Sequence, residues 1–579
     1  MTVEADFLDW AASHGCRLTP GCELAEFPGM GRGLRAARDF EEDELLFTVH
    51  RRILLNLRTS RLGPFCQAQD SEWEDSIRNS GWVPLILSML WEQWRVKETA
   101  RWKAIAPTLA QPPAEAGSGA EVEWGPYLSI LPTSFDTPMM WDPREAEALL
   151  KGTDVLPRIG RKEADEIYVN LARPFIAARA HIFLGLAKDE TTTELIDAEI
   201  EKYYSLNLFH IMGSRVLSRS FHVKTSQHSE DDGSDDEEEE EEEEEDTADI
   251  SMVPMADMLN ARHNSDNARL FFLPDALEMR TTSKIAAGSQ IFNTFGDPPN
   301  GDLLRRYGHV DEPNGNDCVD LEVHLIGDAI CELIEEATGK TGKDEKERSR
   351  MGDRVSWLCG GGDDDEDEPP LLDDDAFPLT YLPGFAPSPE SPHATIPSDA
   401  SDQKLATALT NALEETGTLP EELLQAARVL SISESDFEAQ VKRKHKLPSG
   451  KFISSVTRTD LSTAGSESGA SFELSVASVM CRALRLRLRA YGSSSIAEDE
   501  AALKQIAHIA EDGSNSRERM ALVVRLGEKR VLSDHIRAFE AVERSRQAKT
   551  SGEMTKSKKR KSEGQERTRQ VEGPKKSKT

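Results

Sequence analysis

Two kinds of hydrophobic pattern alternate along this chain of 579 residues, and their order limits the fold more than any single motif does. Residues 16–57 mix glycines, turn-rich stretches and short apolar runs such as ELLFTV at 44–49, a pattern that predicts small strands joined by tight turns. Residues 59–221 change period. Apolar side chains now recur every three or four positions at 82–94, 145–150 and 203–221, which predicts helices. Strand-type runs return at 252–259, 268–273, 277–281 and 290–294. A helical block thus interrupts a strand-rich one, and the expected class is α+β, with small sheets around a helical insertion. Beyond residue 320 the better amphipathic segments are all helical, at 323–337, 403–415, 420–430, 472–491 and 516–542. They predict a second, all-helical domain, broken by a Pro- and Asp-rich loop at about 360–402.

The formal net charge of −35 is concentrated rather than spread. Residues 230–249 supply 16 acids, nine of them in the unbroken run 237–245, and residues 363–375 add a second cluster. Such blocks repel themselves and are expected to stay unfolded as solvated loops, or to attract a basic protein substrate. Neither role needs direct contact with nucleic acid. The C-terminus reverses sign with Lys556, Lys558, Lys559, Arg560 and Lys561, then Lys575, Lys576 and Lys578. These clusters sit on a segment without apolar pattern and read as a nuclear-import address, with the cytoplasm left open as a second location.

The seven cysteines are odd in number, scattered and never spaced Cys-x-x-Cys, so they read as reduced, mostly structural thiols, and no metal is expected. No apolar run approaches the roughly 20 residues a membrane helix needs. The first ten residues carry acids where a signal peptide would be basic and then apolar, so neither a membrane nor a secretory role is expected.

Three short motifs offer chemistry. Gly31, Arg32 and Gly33, in FPGMGRGLRA, lie just before residues 39–43, which read as a turn into the ELLFTV strand; two glycines one residue apart let a backbone approach a ligand closely and present its amides. An ordinary β-turn uses the same spacing, and no Rossmann pattern follows. In VPMADMLNARHNSDNARLFF, residues 253–272, a strand-like run ends in Asp257 and Asn260. An asparagine both donates and accepts, so a buried one suits an amino-acid ligand, although turns also favour asparagine. In IFNTFGDPPNGDLLRRYGHVDEPN, residues 291–314, Phe295 and Tyr307 flank a Pro-Pro turn and serve equally well as core or as a pocket wall.

Taken in order, Gly-Arg-Gly, ADMLN and IFNTFGDPPNGDLLRRYG resemble the SET-domain protein lysine methyltransferases, and among them the Rubisco large-subunit methyltransferase-like class. GPYLSILPTSFDTPMMW, residues 125–141, is similar to a segment which that class carries in its helical insertion. NSRERMALVVRLGEKRVL, residues 515–532, is similar to its substrate-binding domain. The GDPPNGDLLRRYGHVD wording with the long acidic loop most resembles the fungal ribosomal lysine methyltransferase 4 type. The resemblance implies a SET domain at 15–310, with its helical insertion at about 59–205 and a disordered acidic loop at about 226–249. It implies a helical substrate-binding domain at 319–547, followed by a disordered basic tail at 548–579.

It also implies roles. S-adenosyl-L-methionine is the expected cofactor, held by Gly31, Arg32, Gly33, Arg215, Asp257, Asn260 and Tyr307. Arg215 and Arg219, in GSRVLSRSF, match two family arginines four residues apart, one toward the cofactor and one toward the substrate pocket; i, i+4 spacing puts both on one helix face. Tyr307 matches the family's active-site hydroxyl and is the expected catalytic residue, with Phe295 as a wall of the substrate tunnel. The implied activity is protein-lysine N-methylation, with a basic ribosomal protein as the implied partner. Two departures stand out: Ala261 where many members have histidine after the asparagine, and Phe295 where many read NTYG. The cysteine-rich zinc segment that follows SET in many histone enzymes is absent. A non-catalytic SET-fold scaffold and a histidine methyltransferase on the same fold remain the alternative readings.

Overall fold

A computed structural model describes residues 2–69, 77, 80–109, 122–187, 192–224, 248–262, 265–339, 345–360, 371–388, 390–391, 396–397, 399–414, 418–432, 434–438, 461–463, 472–509 and 516–571. They form two compact units. One comprises Met1–Ala148, Val155–Asp311 and Ala510–Met520, the other Leu149–Asp154, Glu312–Ile509 and Ala521–Thr579. Most of the acidic run lies outside the described residues.

The first unit opens with helix α1 (Val3–Ser13), whose N-cap Thr2 accepts from the Ala5 amide. Strands β1 (Cys22–Phe27) and β2 (Gly31–Ala36) then form a hairpin, with Cys22 opposite Ala36 and Phe27 opposite Gly31. The turn lies at residues 28–30, so Gly31, Arg32 and Gly33 are strand residues and not the ordinary β-turn that their spacing also suits. Strand β3 (Leu45–His50) follows. Helix α2 (Val83–Lys97) is buried on almost every side, as an apolar helix without a polar face must be. Its two buried charges, Glu92 and Arg95, pair with each other at 2.6 Å, and Ser60 donates to Glu92. Helix α3 (Gly125–Ile130) packs on both α1 and α2.

Helix α4 (Leu206–Arg219) starts at Ser205, which caps it, and stops two residues before the expected end because Ser220 opens strand β4 (Ser220–Lys224), paired with β5 (Ala248–Met252). The strand expected over 252–259 ends at Met252. Pro254 has no amide hydrogen to give a ladder, Met255 takes φ +76°, and Ala256–Met258 makes one tight helical turn. Strands β6 (Asn260–Ala261), β7 (Ala268–Phe272), β8 (Ala276–Thr281) and β9 (Gln290–Asn293) complete two sheets, ordered β1-β2-β9-β6 and β3-β8-β7. Helix α5 (Asn300–Tyr307) closes the unit.

The second unit begins with strand β10 (Cys318–Glu322) and helix α6 (Val323–Thr338). Strand β11 (Ala376–Thr380) pairs antiparallel with β10. The sequence predicts a loop there, since Pro378 weakens any strand signal, but a proline is tolerated on the edge of a two-stranded sheet. Helices α7 (Glu421–Leu430) and α8 (Val476–Arg489) pack on α6. Helix α9 runs Arg517–Val571. It continues through residues 548–571, where a disordered tail is expected; no proline occurs between 517 and 573 to break it, and long charged side chains favour helix.

Two buried groups of the second unit, Arg487 and Glu528, find close partners. The Arg487 guanidinium meets the Asp154 carboxylate at 2.6 Å and the carbonyls of Gly152 and Asp320 at 2.8 and 3.0 Å. Tyr491 donates to Glu528 at 2.6 Å, and burial pushes the Glu528 carboxyl well above the usual range.

Candidate functional site

Strand β2 packs against both β6 and the turn at 256–258, which brings the first two motifs together. Gly31 has φ +69° and open space where a side chain would be, so no Cβ shields the backbone there. Gly33 is different. A Cβ on it would lie 2.6 Å from Gln290 Nε2 and 2.8 Å from Asn260 Nδ2, so only glycine lets these two amides close over the strand. The side chain of Arg32 is already engaged, donating to Glu4 at 2.8 Å and to the Ile130 carbonyl at 3.0 Å. What residue 32 offers a ligand is therefore its main chain.

Asp257 is 4% exposed. Its Oδ2 accepts from Tyr127 at 2.7 Å, its carbonyl accepts from Arg219, and its Oδ1 has no partner. Burial pushes the carboxyl up to about 7, against the opposing pull of Arg219 and Tyr127. Arg215 is 3% exposed and donates to the Pro132 carbonyl at 2.9 Å. Among the described residues it has no carboxylate partner. Burial lowers it to about 10, so the guanidinium keeps its charge at neutral pH. Both arginines of α4 thus act electrostatically on the buried Tyr127 hydroxyl, and Arg219 also on Asp257. Tyr127, inside GPYLSILP, was not singled out from sequence; one tyrosine in an apolar run carries no signal until its partner is known.

Helix α4 also packs on α5, whose last residue is Tyr307. Gly308 ends that helix at φ +75° and lies so close to Asp136 that a Cβ would sit 3.0 Å from its carbonyl. Trp141 in turn donates to Asp136, fixing the segment on which the Tyr307 end rests. Phe295 follows the β6–β9 pairing by two residues and stacks on Tyr307, ring centroids 4.3 Å apart and planes within 7°. Burial raises the Tyr307 phenol, which stays neutral at physiological pH. Phe295 also lines a pocket with Ala261, Thr294, Leu303, His309 and Asp311.

These groups suit S-adenosyl-L-methionine on their own chemistry. Asn260 Nδ2, Gln290 Nε2 and Arg219 Nε are buried donors without acceptors, and Asp257 Oδ1 is a buried acceptor without a donor. Buried polar atoms are rarely left so. A ligand with an ammonium, a carboxylate and a base rich in ring nitrogens supplies partners of both kinds.

Residues 399–532 match the family described as Rubisco LSMT substrate-binding. N-lysine methyltransferase setd6 of Xenopus laevis is 29% identical over 366 residues, covering 61% of this chain and 66% of that one. Ribosomal lysine N-methyltransferase 4 of Saccharomyces cerevisiae is 27% identical over 348 residues, covering 59% and 61%. The chain thus spans just under two thirds of the length of these relatives. The solved SET domain of LSMT bound to lysine and AdoHcy superposes with a TM-score of 0.50 at 17% identity, covering 93% of this chain and 91% of that one, which establishes the fold. The chain therefore has the SET-domain fold, carries a region that matches the Rubisco LSMT substrate-binding family at 399–532, and is similar over about 60% of its length to proteins named N-lysine methyltransferases.

Proposed function

We propose that this protein is an S-adenosyl-L-methionine-dependent protein-lysine N-methyltransferase that acts on a basic ribosomal protein. The observation that carries the reading is the convergence of unpartnered buried groups at Asn260, Asp257 and Arg219, with Arg215 lacking a carboxylate, in a fold whose relatives are named lysine methyltransferases. When bound, the cofactor supplies an electrophilic methyl group.

The chain's own contribution is alignment and dryness. Arg215 offers a permanent positive charge in a buried setting where a carboxylate is strongly attracted. The open backbone at Gly31 admits a ligand, and Asn260 orients it. An ammonium has no lone pair, so the acceptor lysine must be neutral. The stacked Phe295 and Tyr307 rings offer a wall beside which solvent is excluded and the charged amine disfavoured. The Tyr307 hydroxyl, held neutral, can accept a hydrogen bond without competing for the lysine proton, and most of the rate comes from holding the reacting atoms in line. A ribosomal substrate is supported by the name of the yeast relative and by the strongly acidic sequence, which favours basic partners. A nuclear location rests on Lys556 to Lys561 alone.

Labelled methyl transfer from S-adenosyl-L-methionine into a ribosomal-protein fraction, by the wild type and by Tyr307→Phe, tests the reading. Label on lysine with the wild type and a large loss with the variant are expected. No label from either protein, while both still bind ribosomal proteins, would make this a scaffold.

A further inference from the structure

We infer that Gln290 is a cofactor-contacting residue that forms an amide pincer with Asn260 over Gly33; the inference rests on the methyltransferase reading above. Gln290 opens strand β9, and its main-chain carbonyl accepts from Asn267 at 3.2 Å. That strand position is settled without the side chain. The side-chain amide instead reaches across to β2, where its Nε2 and Asn260 Nδ2 would stand 2.6 and 2.8 Å from any Cβ on Gly33. Both nitrogens are shut off from solvent and neither has an acceptor. A buried amide left without a partner destabilises the fold, and here two stand at one glycine. No group among the described residues relieves it, although glycine at position 33 leaves both amides room.

Two converging NH2 groups recognise an acceptor of the ligand, a carboxylate oxygen or a ring nitrogen. The rival is structural: with one amide turned about, Gln290 and Asn260 would satisfy each other and serve only to lock β9 to β6.

Gln290→Leu separates these. Calorimetric titration with S-adenosylhomocysteine should show binding weakened about tenfold, while the ligand-free melting temperature holds or rises, because an unpaired donor has been replaced by an apolar group. A lower melting temperature with unchanged affinity would overturn the inference and leave the amide pair as a structural lock. Gln290→Asn, which keeps the amide on a shorter arm, should restore part of the affinity. Failure of the wild type to bind S-adenosylhomocysteine at all would instead overturn the methyltransferase reading itself.

Discussion

The rings of Phe295 and Tyr307 lie face to face, 4.3 Å between centroids and 7° from parallel, though eleven positions lie between the two residues in sequence. The hairpin-like excursion through the Pro-Pro turn and helix α5 exists to make that contact. Tyr307→Phe keeps the stack and removes only the hydroxyl. Its turnover is expected to fall by about a hundredfold, with S-adenosylhomocysteine affinity within about threefold of wild type. Equal losses in both would mean that the hydroxyl serves binding rather than the chemical step.

Phe295→Tyr adds a hydroxyl where many family members carry one. The new oxygen can hold the product amine or a water in place, so the ratio of mono- to higher methylated lysine should change in mass spectra of the product. An unchanged ratio would show that the ring edge does not face the acceptor nitrogen.

Arg215 is a buried cation whose guanidinium donates to the Pro132 carbonyl and pairs with no carboxylate among the described residues, so no ion pair of the ligand-free fold depends on its charge. Arg215→Met should weaken S-adenosylhomocysteine binding by tenfold or more, about 1.4 kcal/mol at least, with only a small change in melting temperature. A large drop in stability with affinity intact would assign the arginine to packing.

How much of this was readable beforehand differs by residue. Gly31, Asn260 and Tyr307 sit in short motifs whose order carries the resemblance, and the i, i+4 spacing of Arg215 and Arg219 places both on one helix face before any coordinates exist. Tyr127 and Gln290 escaped because each acts through a partner more than 100 positions away or across a strand, which no local pattern records. Strand β11 and the helix through residue 571 escaped for another reason: a proline and a run of charges mask structure that a pairing edge and helix propensity still permit.

Asp257 should leave a mark on stability. Its carboxyl ionises near 3.8 in an unfolded chain and at about 7 here. Between those values the folded state holds a proton that the unfolded state has lost, so the contribution of this group is full below pH 3.8 and is lost as pH rises through 7. Asp257→Asn still offers Tyr127 an acceptor and cannot ionise. Its melting temperature relative to wild type should therefore rise from pH 4 to about pH 7 and level off above; a flat difference throughout would show that the carboxyl is not held protonated.

In the second unit, Arg487→Met removes the cation that neutralises the partly buried Asp154 carboxylate, which then keeps the Asp320 amide but no positive charge. A loss of about 3–5 kcal/mol in urea unfolding of that unit is expected. A loss below about 1 kcal/mol would mean that water reaches Asp154.

The central claim is that the site transfers a methyl group to lysine. Its most direct test is residue-level mass spectrometry of ribosomal proteins from a deletion strain, incubated with the purified protein and isotope-labelled S-adenosyl-L-methionine. The account predicts label on a lysine side chain that is methylated in the parent strain and bare in the deletion strain, and no such label with Tyr307→Phe. Label on histidine, or none on any protein while S-adenosylhomocysteine still binds, would contradict it.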